Sequence, residues 1–335
     1  MALCQPSRAS GKYNTHVDPL QGRAGALLCG NMRRFNIGEF MSKVIYALGF
    51  FDGVHIGHGA LLSACRTMAA ERGWDCGVVT FGAHPDGLVL GNAPRLINTP
   101  EDRERLLRQT YAMDTVVTLP FDEKMRSMDW TDFLAMLRKD YGAAGFVCGE
   151  DFRFGFKGKG NATVLSWYCQ QEQLPCVVVP EQTIGGIRIS STYIREQLET
   201  GDMATAVRFL GHPHILTGKV VHGRKLGRTL GIPTANLRLP EGIVAPRFGV
   251  YACSTEIDGV LYPAVANVGN RPTVNGHHTT VEPWILDYSG DLYDREITLR
   301  FHYFLRPEKR FDSLEALQEE ILRNAEEARA YLKHL

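Results

Sequence analysis

The chain has 335 residues, 44% of them hydrophobic and 22% charged, an ordinary soluble composition whose length favours two domains over one. Thirty-seven basic and 37 acidic residues cancel to a formal net charge of zero, so no global field draws the chain to nucleic acid or to an anionic membrane. Eight cysteines with no CxxC pair make no disulfide framework, and no apolar run reaches membrane-spanning length; a cytoplasmic protein with reduced thiols and small partners is expected.

Residues 1–41 are polar and aperiodic apart from Ala24 to Cys29, which is too short for a signal-peptide core. They are expected to be an extension outside the fold, disordered or non-native. From Val44 to about Leu210, short apolar strands alternate with amphipathic helices, which predicts a parallel sheet covered on both faces over residues 42–211. The expected strands are Val44–Leu48, Gly77–Phe81, Thr115–Leu119, Gly145–Cys148 and Cys176–Val179. Helices are expected at Gly57–Arg72, Glu101–Tyr111, Asp129–Tyr141 and Ala162–Gln173. In such sheets a ligand sits beyond the carboxyl ends of the strands, so chemistry-bearing residues should follow them.

The first strand leads into Gly49-Phe50-Phe51-Asp52-Gly53-Val54-His55-Ile56-Gly57-His58. Glycines 49, 53 and 57 let the backbone turn tightly against a ligand. The helical spacing of His58, Leu61, Leu62, Cys65, Met68 and Ala69 then places that turn at a helix N-terminus, whose unpaired donors suit phosphate. His55 and His58 flank the point and can donate hydrogen bonds to a leaving pyrophosphate. The second strand ends in Thr80-Phe81-Gly82-Ala83-His84-Pro85. The fourth ends in Gly149-Glu150-Asp151-Phe152-Arg153-Phe154-Gly155, followed by Lys157 and Lys159, a mixture of aromatic and charged groups suited to a ring and its phosphates. Ser190-Ser191-Thr192-Tyr193-Ile194-Arg195 opens a further helix with three hydroxyls and a cation, more than capping requires.

Beyond Gly211 the period changes to short antiparallel strands at Ile215–Val221, Val250–Ile257, Val260–Val268, Thr279–Asp287 and Arg295–Phe304, with Asp258-Gly259 as a two-residue hairpin turn. A closing helix is expected from Asp312, with Glu315 completing its capping box. A small antiparallel barrel with a terminal helix is therefore expected over residues 212–335. Its glycine-rich, basic stretch runs from Gly218 and Lys219 through Gly223 and Gly231 to Pro233-Thr234-Ala235-Asn236. This suits polyphosphate, although no GxxxxGK[ST] loop occurs anywhere in the chain.

His55-Ile56-Gly57-His58 resembles the HxGH signature of the nucleotidyltransferases related to class I aminoacyl-tRNA synthetases. Together with Gly49-Phe50-Phe51-Asp52-Gly53, the chain resembles the prokaryotic bifunctional riboflavin kinase/FMN adenylyltransferases (FAD synthetases). The likeness continues through a TFxPHP stretch, with Ala83 where a proline is usual, a GxDFRFG stretch and an ISSTxIR stretch, and in the second half through a flavokinase loop ending in PTAN. It covers roughly residues 44–335.

This resemblance implies an α/β, Rossmann-like nucleotidyltransferase domain joined to a riboflavin kinase-like barrel. Riboflavin and Mg²⁺·ATP would give FMN in the barrel, and FMN with a second ATP would give FAD and pyrophosphate in the α/β half. It implies catalytic roles for His55, His58, Arg195 and Glu282, the last as the base that takes the ribityl hydroxyl proton. Gly49, Phe51, Asp52, Gly53, Gly57, Asp151, Phe154, Ser191 and Thr192 would contact nucleotide or flavin, as would Gly218, Lys219, Gly223 and Gly231 in the barrel. Thr234 and Asn236 would help hold Mg²⁺. Neither a nucleic acid nor a membrane is implied as partner, and the sequence leaves the oligomeric state open. Two rivals are a non-catalytic flavin- or nucleotide-binding regulator and a related nucleotidyltransferase acting on another phosphate, such as phosphopantetheine or nicotinate mononucleotide.

Overall fold

Five consecutive apolar residues form β1 (Val44–Leu48), buried along its whole length, as a strand covered by helices on both faces must be. The computed structural model describes residues 42–222, 231–273 and 276–333. In chain order the first half continues with α1 (Ile56–Ala70), β2 (Asp75–Phe81), α2 (Pro85–Val89), α3 (Pro100–Arg105), β3 (Thr115–Leu119), α4 (Glu123–Ser127), α5 (Trp130–Tyr141) and β4 (Ala143–Gly149). It then runs through β5 (Arg153–Phe154), β6 (Gly160–Asn161), α6 (Ala162–Gln171), β7 (Cys176–Val179), β8 (Thr183–Ile184), β9 (Ile187–Arg188), α7 (Ser191–Thr200) and α8 (Met203–Leu210).

The main sheet is parallel, in the order β3-β2-β1-β4-β7. Alternation along β1 divides its side chains between the two faces. Ile45 and Ala47 join Leu62, Cys65 and Val78 in one cluster, whereas Val44, Tyr46 and Leu48 join Leu134, Phe146 and Leu165 in another. Both layers converge on the carboxyl ends of β1, β2 and β4, where the motifs lie.

The second half comprises β10 (His214–Lys219), β11 (Leu237–Arg238), β12 (Gly249–Ile257), β13 (Val260–Thr273), β14 (Gly276–Ile285), β15 (Glu296–Pro307) and α9 (Leu314–Leu332). Its sheet runs β10-β15-β12-β13-β14-β11. The Val221 N–H donates to the Asn236 carbonyl at 2.9 Å, which nearly closes the sheet into the expected barrel. The hairpin between β12 and β13 turns at Asp258 and Gly259, both with positive φ (52° and 80°), as a two-residue turn matching strand twist requires.

Several element boundaries differ from the sequence reading. The helix expected to reach Tyr111 leaves α geometry at Leu106 and continues to Thr110 as a π-helical turn, with Leu106 and Leu107 both buried. The closing helix is capped by Ser313, whose hydroxyl accepts from the Ala316 N–H at 3.1 Å, so the Asp312–Glu315 capping box does not form. The two-residue β11 is too short to leave an alternation in the sequence. Residues 1–41, and Gly223 with most of the basic loop, lie outside the described residues.

The two halves share a hydrophobic core. Ile194, Leu198, Met203, Phe209 and Leu210 of α7 and α8 pack in one cluster with Leu216, Tyr251, Leu299 and Phe301 of the barrel. Polar bonds reinforce the seam. The fully buried Asp102 of α3 accepts from the Thr217 N–H at 3.0 Å and from its hydroxyl, and the Asn98 amide donates to the Ile215 carbonyl at 3.3 Å. The Arg105 guanidinium donates to Thr217 at 3.1 Å and also to Thr298. Because charge-assisted bonds in a dry setting are the strong ones, Asp102→Ala is expected to cost about 3 kcal/mol. In a melt this is a fall of roughly 5–10 °C; an unchanged melting temperature would show that Asp102 does not hold the halves together.

Candidate functional site

The turn after β1 is held in sparsely populated backbone conformations. Phe51, Gly53 and Val54 all have positive φ (60°, 77° and 40°), and for Phe51 and Val54 this costs on the order of 1–3 kcal/mol each. Gly53 has a second requirement, since a Cβ there would lie 2.8 Å from Ile97. The strain is offset by tethers on every side. The Asp52 carboxylate accepts from the Ile97 N–H at 2.9 Å, its carbonyl accepts from the Ser191 hydroxyl at 2.9 Å, and the Gly53 carbonyl accepts from His212 Nε2–H at 3.0 Å.

The turn delivers His55 to the N-cap of α1, where its Nδ1 accepts the His58 N–H at 3.2 Å. That bond fixes the neutral ring's proton on Nε2. The His58 ring stacks on it, with centroids 3.6 Å apart and planes 10° from parallel. Burial holds both imidazoles neutral: His55 is pushed down to about 4, and His58 well below its ordinary value, with His55 and Arg103 adding to the effect. The pair therefore offers N–H dipoles and not fixed charges.

A cavity of about 610 Å³ opens at these strand ends, within the size range of small-molecule sites. Gly49, Phe51, Asp52, His55, Gly57, His58, Asp151, Ser191, Thr192 and Arg195 all line it. Among the described residues, Asp52 Oδ2, His58 Nδ1 and Arg195 Nε are buried there without a hydrogen-bond partner. Asp52 Oδ2 and Arg195 Nε stand 3.6 Å apart, too far for a good hydrogen bond. Burial raises the Asp52 carboxyl above its usual range, opposed by the Ile97 N–H and by the Arg195 and Arg103 guanidinium groups. Orphaned buried polar atoms are rare in native proteins and call for a partner.

The hydroxyl run of α7 separates into different roles. Ser190 is the N-cap, accepting from the Tyr193 N–H at 3.3 Å; Ser191 ties the strained turn; Thr192 is exposed. On the opposite wall Arg188 joins Asp151 at 2.6 Å and Glu181 at 2.8 Å, bridging the segment after β4 to the β8–β9 hairpin. Phe154 does not reach the cavity. It is buried among Phe133 and Phe152, and of this pair of motif aromatics Phe152 lines the cavity.

In the barrel a cavity of about 260 Å³ is lined by Thr234, Ala235, Pro283, Tyr288, Asp291 and Tyr293. The Ala235 N–H donates to the Pro283 carbonyl at 2.8 Å, so the Pro233–Asn236 segment lies alongside Glu282 on β14. Glu282 is half-buried, opposite Asn267 of β13. Thr234 is on the cavity wall and Asn236 is buried beside it, 7% exposed. Gly231 has a φ of 70°, and Lys219 at the end of β10 pairs with Asp294 at 2.9 Å in an exposed position. Gly218 precedes it on the same strand, and a Cβ there would meet Leu237 only at an ordinary 3.7 Å.

A family model for FAD synthetase matches residues 38–193, and one for riboflavin kinase matches residues 210–332. The chain is 38% identical over 296 residues to the bifunctional riboflavin kinase/FMN adenylyltransferase of Pseudomonas fluorescens, covering 85% of this chain and 92% of that one. It is 33% identical over 298 residues to the protein of the same name from Listeria monocytogenes, covering 87% and 93%. The chain belongs to the bifunctional riboflavin kinase/FMN adenylyltransferases. A solved structure, the macrolide-efflux protein from Streptococcus pneumoniae, superposes with a TM-score of 0.77 at 31% identity over 87% of this chain and 95% of that one. Among the described residues of this family member no helix is long and apolar enough to cross a membrane.

Some residues around the histidine cavity carry no local sequence signal. Arg103, His212 and Arg188 are brought in from other elements and belong to no motif. His84 lies in one: its Nδ1 accepts the Asp86 N–H at 3.2 Å while its ring meets Phe50 edge-on at 4.7 Å. Burial also keeps His212 and His214 low, the latter at about 3, and His302 at about 4. Unfolded histidine, near 6.5, binds a proton that these folded imidazoles refuse, so acid favours the unfolded chain. Stability should be full above pH 6.5 and fall toward pH 4, with His55 alone contributing roughly 2 kcal/mol of the loss by pH 5. Melts at pH 7 and pH 5 check this; equal midpoints would refute it.

Proposed function

We propose that the histidine cavity carries out the adenylylation of FMN and the barrel cavity the phosphorylation of riboflavin. The observation that carries the first assignment is the convergence of three buried groups without a hydrogen bond among the described residues, on Asp52, His58 and Arg195, at the N-termini of α1 and α7. An FMN phosphate oxygen attacks the α-phosphorus of ATP, the bond to the β-phosphate oxygen breaks, and FAD and pyrophosphate leave. Negative charge grows on the departing pyrophosphate. The His55 Nε2–H, the open N–H groups of the two helix starts and the Arg195 guanidinium are set to receive it without reorganisation. Neutral histidines suit this role, because their dipoles are present across the neutral range.

In the barrel, Glu282 accepts the proton of the ribityl hydroxyl as that oxygen attacks the γ-phosphorus of ATP, giving FMN and ADP. Thr234 and Asn236 supply neutral oxygen donors two residues apart beside the cavity, a set that fits Mg²⁺, which takes few protein oxygens and keeps the rest for phosphate and water. Bound there, Mg²⁺ would neutralise charge on the transferring phosphate. We place the division between the activities near Gly211, with residues 1–41 contributing to neither, and the enzyme in the cytoplasm. The test is incubation with riboflavin, ATP and Mg²⁺ followed by flavin chromatography. FMN and FAD should both accumulate; FMN without FAD would remove the assignment of the histidine cavity, and no product at all would favour a binding protein.

A further inference from the structure

Arg103 has no part in the chemistry described so far, yet it is among the largest fully buried side chains of the protein, at 2% exposure. It stands in the six-residue α3, beside the Asp102 that holds the barrel. Its Nη1 donates to the Phe50 carbonyl at 3.0 Å and its Nη2 to the Phe81 carbonyl. The guanidinium carbon lies 4.4 Å from the Phe50 ring centroid, and the Thr80 hydroxyl donates to the same Phe50 carbonyl at 2.8 Å. Phe50 follows β1 and Phe81 ends β2, neighbouring parallel strands paired through Leu48 and Val79. Both line the cavity. Phe50 leads directly into the turn carrying Asp52, His55 and His58, and Phe81 into the segment carrying His84.

One planar fork thus grips two strand exits at once, a geometry that a lysine ammonium, with a single point of charge, does not reproduce. Burial pulls the guanidinium down to about 10 against the attraction of Asp52 and Glu101, so it stays charged at neutral pH. Its field reaches Asp52, His58 and His84. A buried cation is expensive to keep, and fixing two loops for chemistry is a use that accounts for it.

We propose that Arg103 is a positioning residue for adenylyl transfer: by holding the Phe50 and Phe81 carbonyls together, it sets the separation of the two loops that present His55, His58 and His84 to the transferring phosphate. This rests on the assignment of the histidine cavity to FMN adenylylation. Displacing reacting groups by about 1 Å commonly costs on the order of 10² in rate. Residues that bind FMN and ATP are untouched, so the loss should fall on kcat.

The experiment compares Arg103→Met and Arg103→Lys with the parent enzyme. Initial rates of FAD formation are measured over ranges of FMN and ATP, and riboflavin phosphorylation is measured on the same preparations. Arg103→Met should lower kcat for FAD formation roughly 30- to 100-fold while both KM values and the kinase rate stay within about threefold. Arg103→Lys should fall in between, since an ammonium reaches one carbonyl without clamping the pair. A kcat for Arg103→Met close to the parent's, or an effect confined to KM, overturns the proposal. If Arg103→Met loses both activities through misfolding, Arg103→Lys decides: kinase rate restored with FAD formation still at least about tenfold down supports positioning, whereas parallel recovery reduces Arg103 to a support of the fold. A parent enzyme that makes FMN but no FAD fails one step earlier, taking away the site assignment and the proposal with it.

Discussion

A His55→Ala, His58→Ala double variant is expected to lose FAD formation while retaining riboflavin phosphorylation. Loss of one preorganised donor at a developing negative charge costs on the order of 10²–10³ in rate, and here two go together. The stacked geometry, with ring centroids 3.6 Å apart, makes the pair one unit, so the single variants should be strongly non-additive. The structure also identifies the control. His55 caps α1 through Nδ1, and losing an N-cap costs about 1 kcal/mol whatever the chemistry. His55→Asn keeps a side-chain oxygen able to cap but lacks the imidazole Nε2–H. If His55→Asn is as inactive as His55→Ala yet melts like the parent, the lost function is the donor and not the cap. Near-parental FAD formation in the double variant would refute the phosphate-site reading.

Glu282→Gln should separate binding from chemistry in the barrel. The amide keeps nearly the same shape on β14 beside the Thr234 segment but cannot accept the hydroxyl proton. Turnover from riboflavin should fall on the order of 10²–10⁴, with riboflavin and Mg·ATP still bound. FAD formation from supplied FMN should survive, because the stacked histidines and Arg195 lie in the other cavity. Both assays belong on one preparation: unchanged riboflavin turnover would make Glu282 a structural strand residue, and equal loss in both would indicate damage to the common core.

What was legible in the sequence is what is written locally. The unbroken apolar run of β1, the glycine-broken turn and the 3.6-residue spacing of α1 each lie in one short window, and the motif residues at the other strand ends follow because a parallel sheet gathers its carboxyl ends. The facing of neighbouring aromatics was not legible. Phe152 and Phe154 are two apart, Phe154 ending the two-residue β5, so period 2 would set both on one face; yet Phe154 turns inward over Gly160, where a Cβ would meet its ring at 2.7 Å, while Phe152 lines the cavity. Cap identity at Ser313 against Asp312 was a one-residue choice between two good capping residues. Arg103 and Asp102 were hidden more deeply. On a charged helix they read as solvent-facing groups, and only the packing of α3 against two strand exits on one side and β10 on the other shows that both are buried.

The pair α7 and α8 serves two masters. Its buried face, with Ile194, Leu198, Phe209 and Leu210, is continuous with the interior of the barrel, while its opening turns supply Ser191, Thr192 and Arg195 to the other cavity. A cut at Gly211 separates the motifs cleanly but strips the barrel of a plug that only the first half provides. A cut before Ser190 leaves the barrel its plug and deprives the histidine cavity of one wall. A chain broken between α8 and β10 therefore exposes the apolar face of this pair on one side and the barrel residues packed against it on the other.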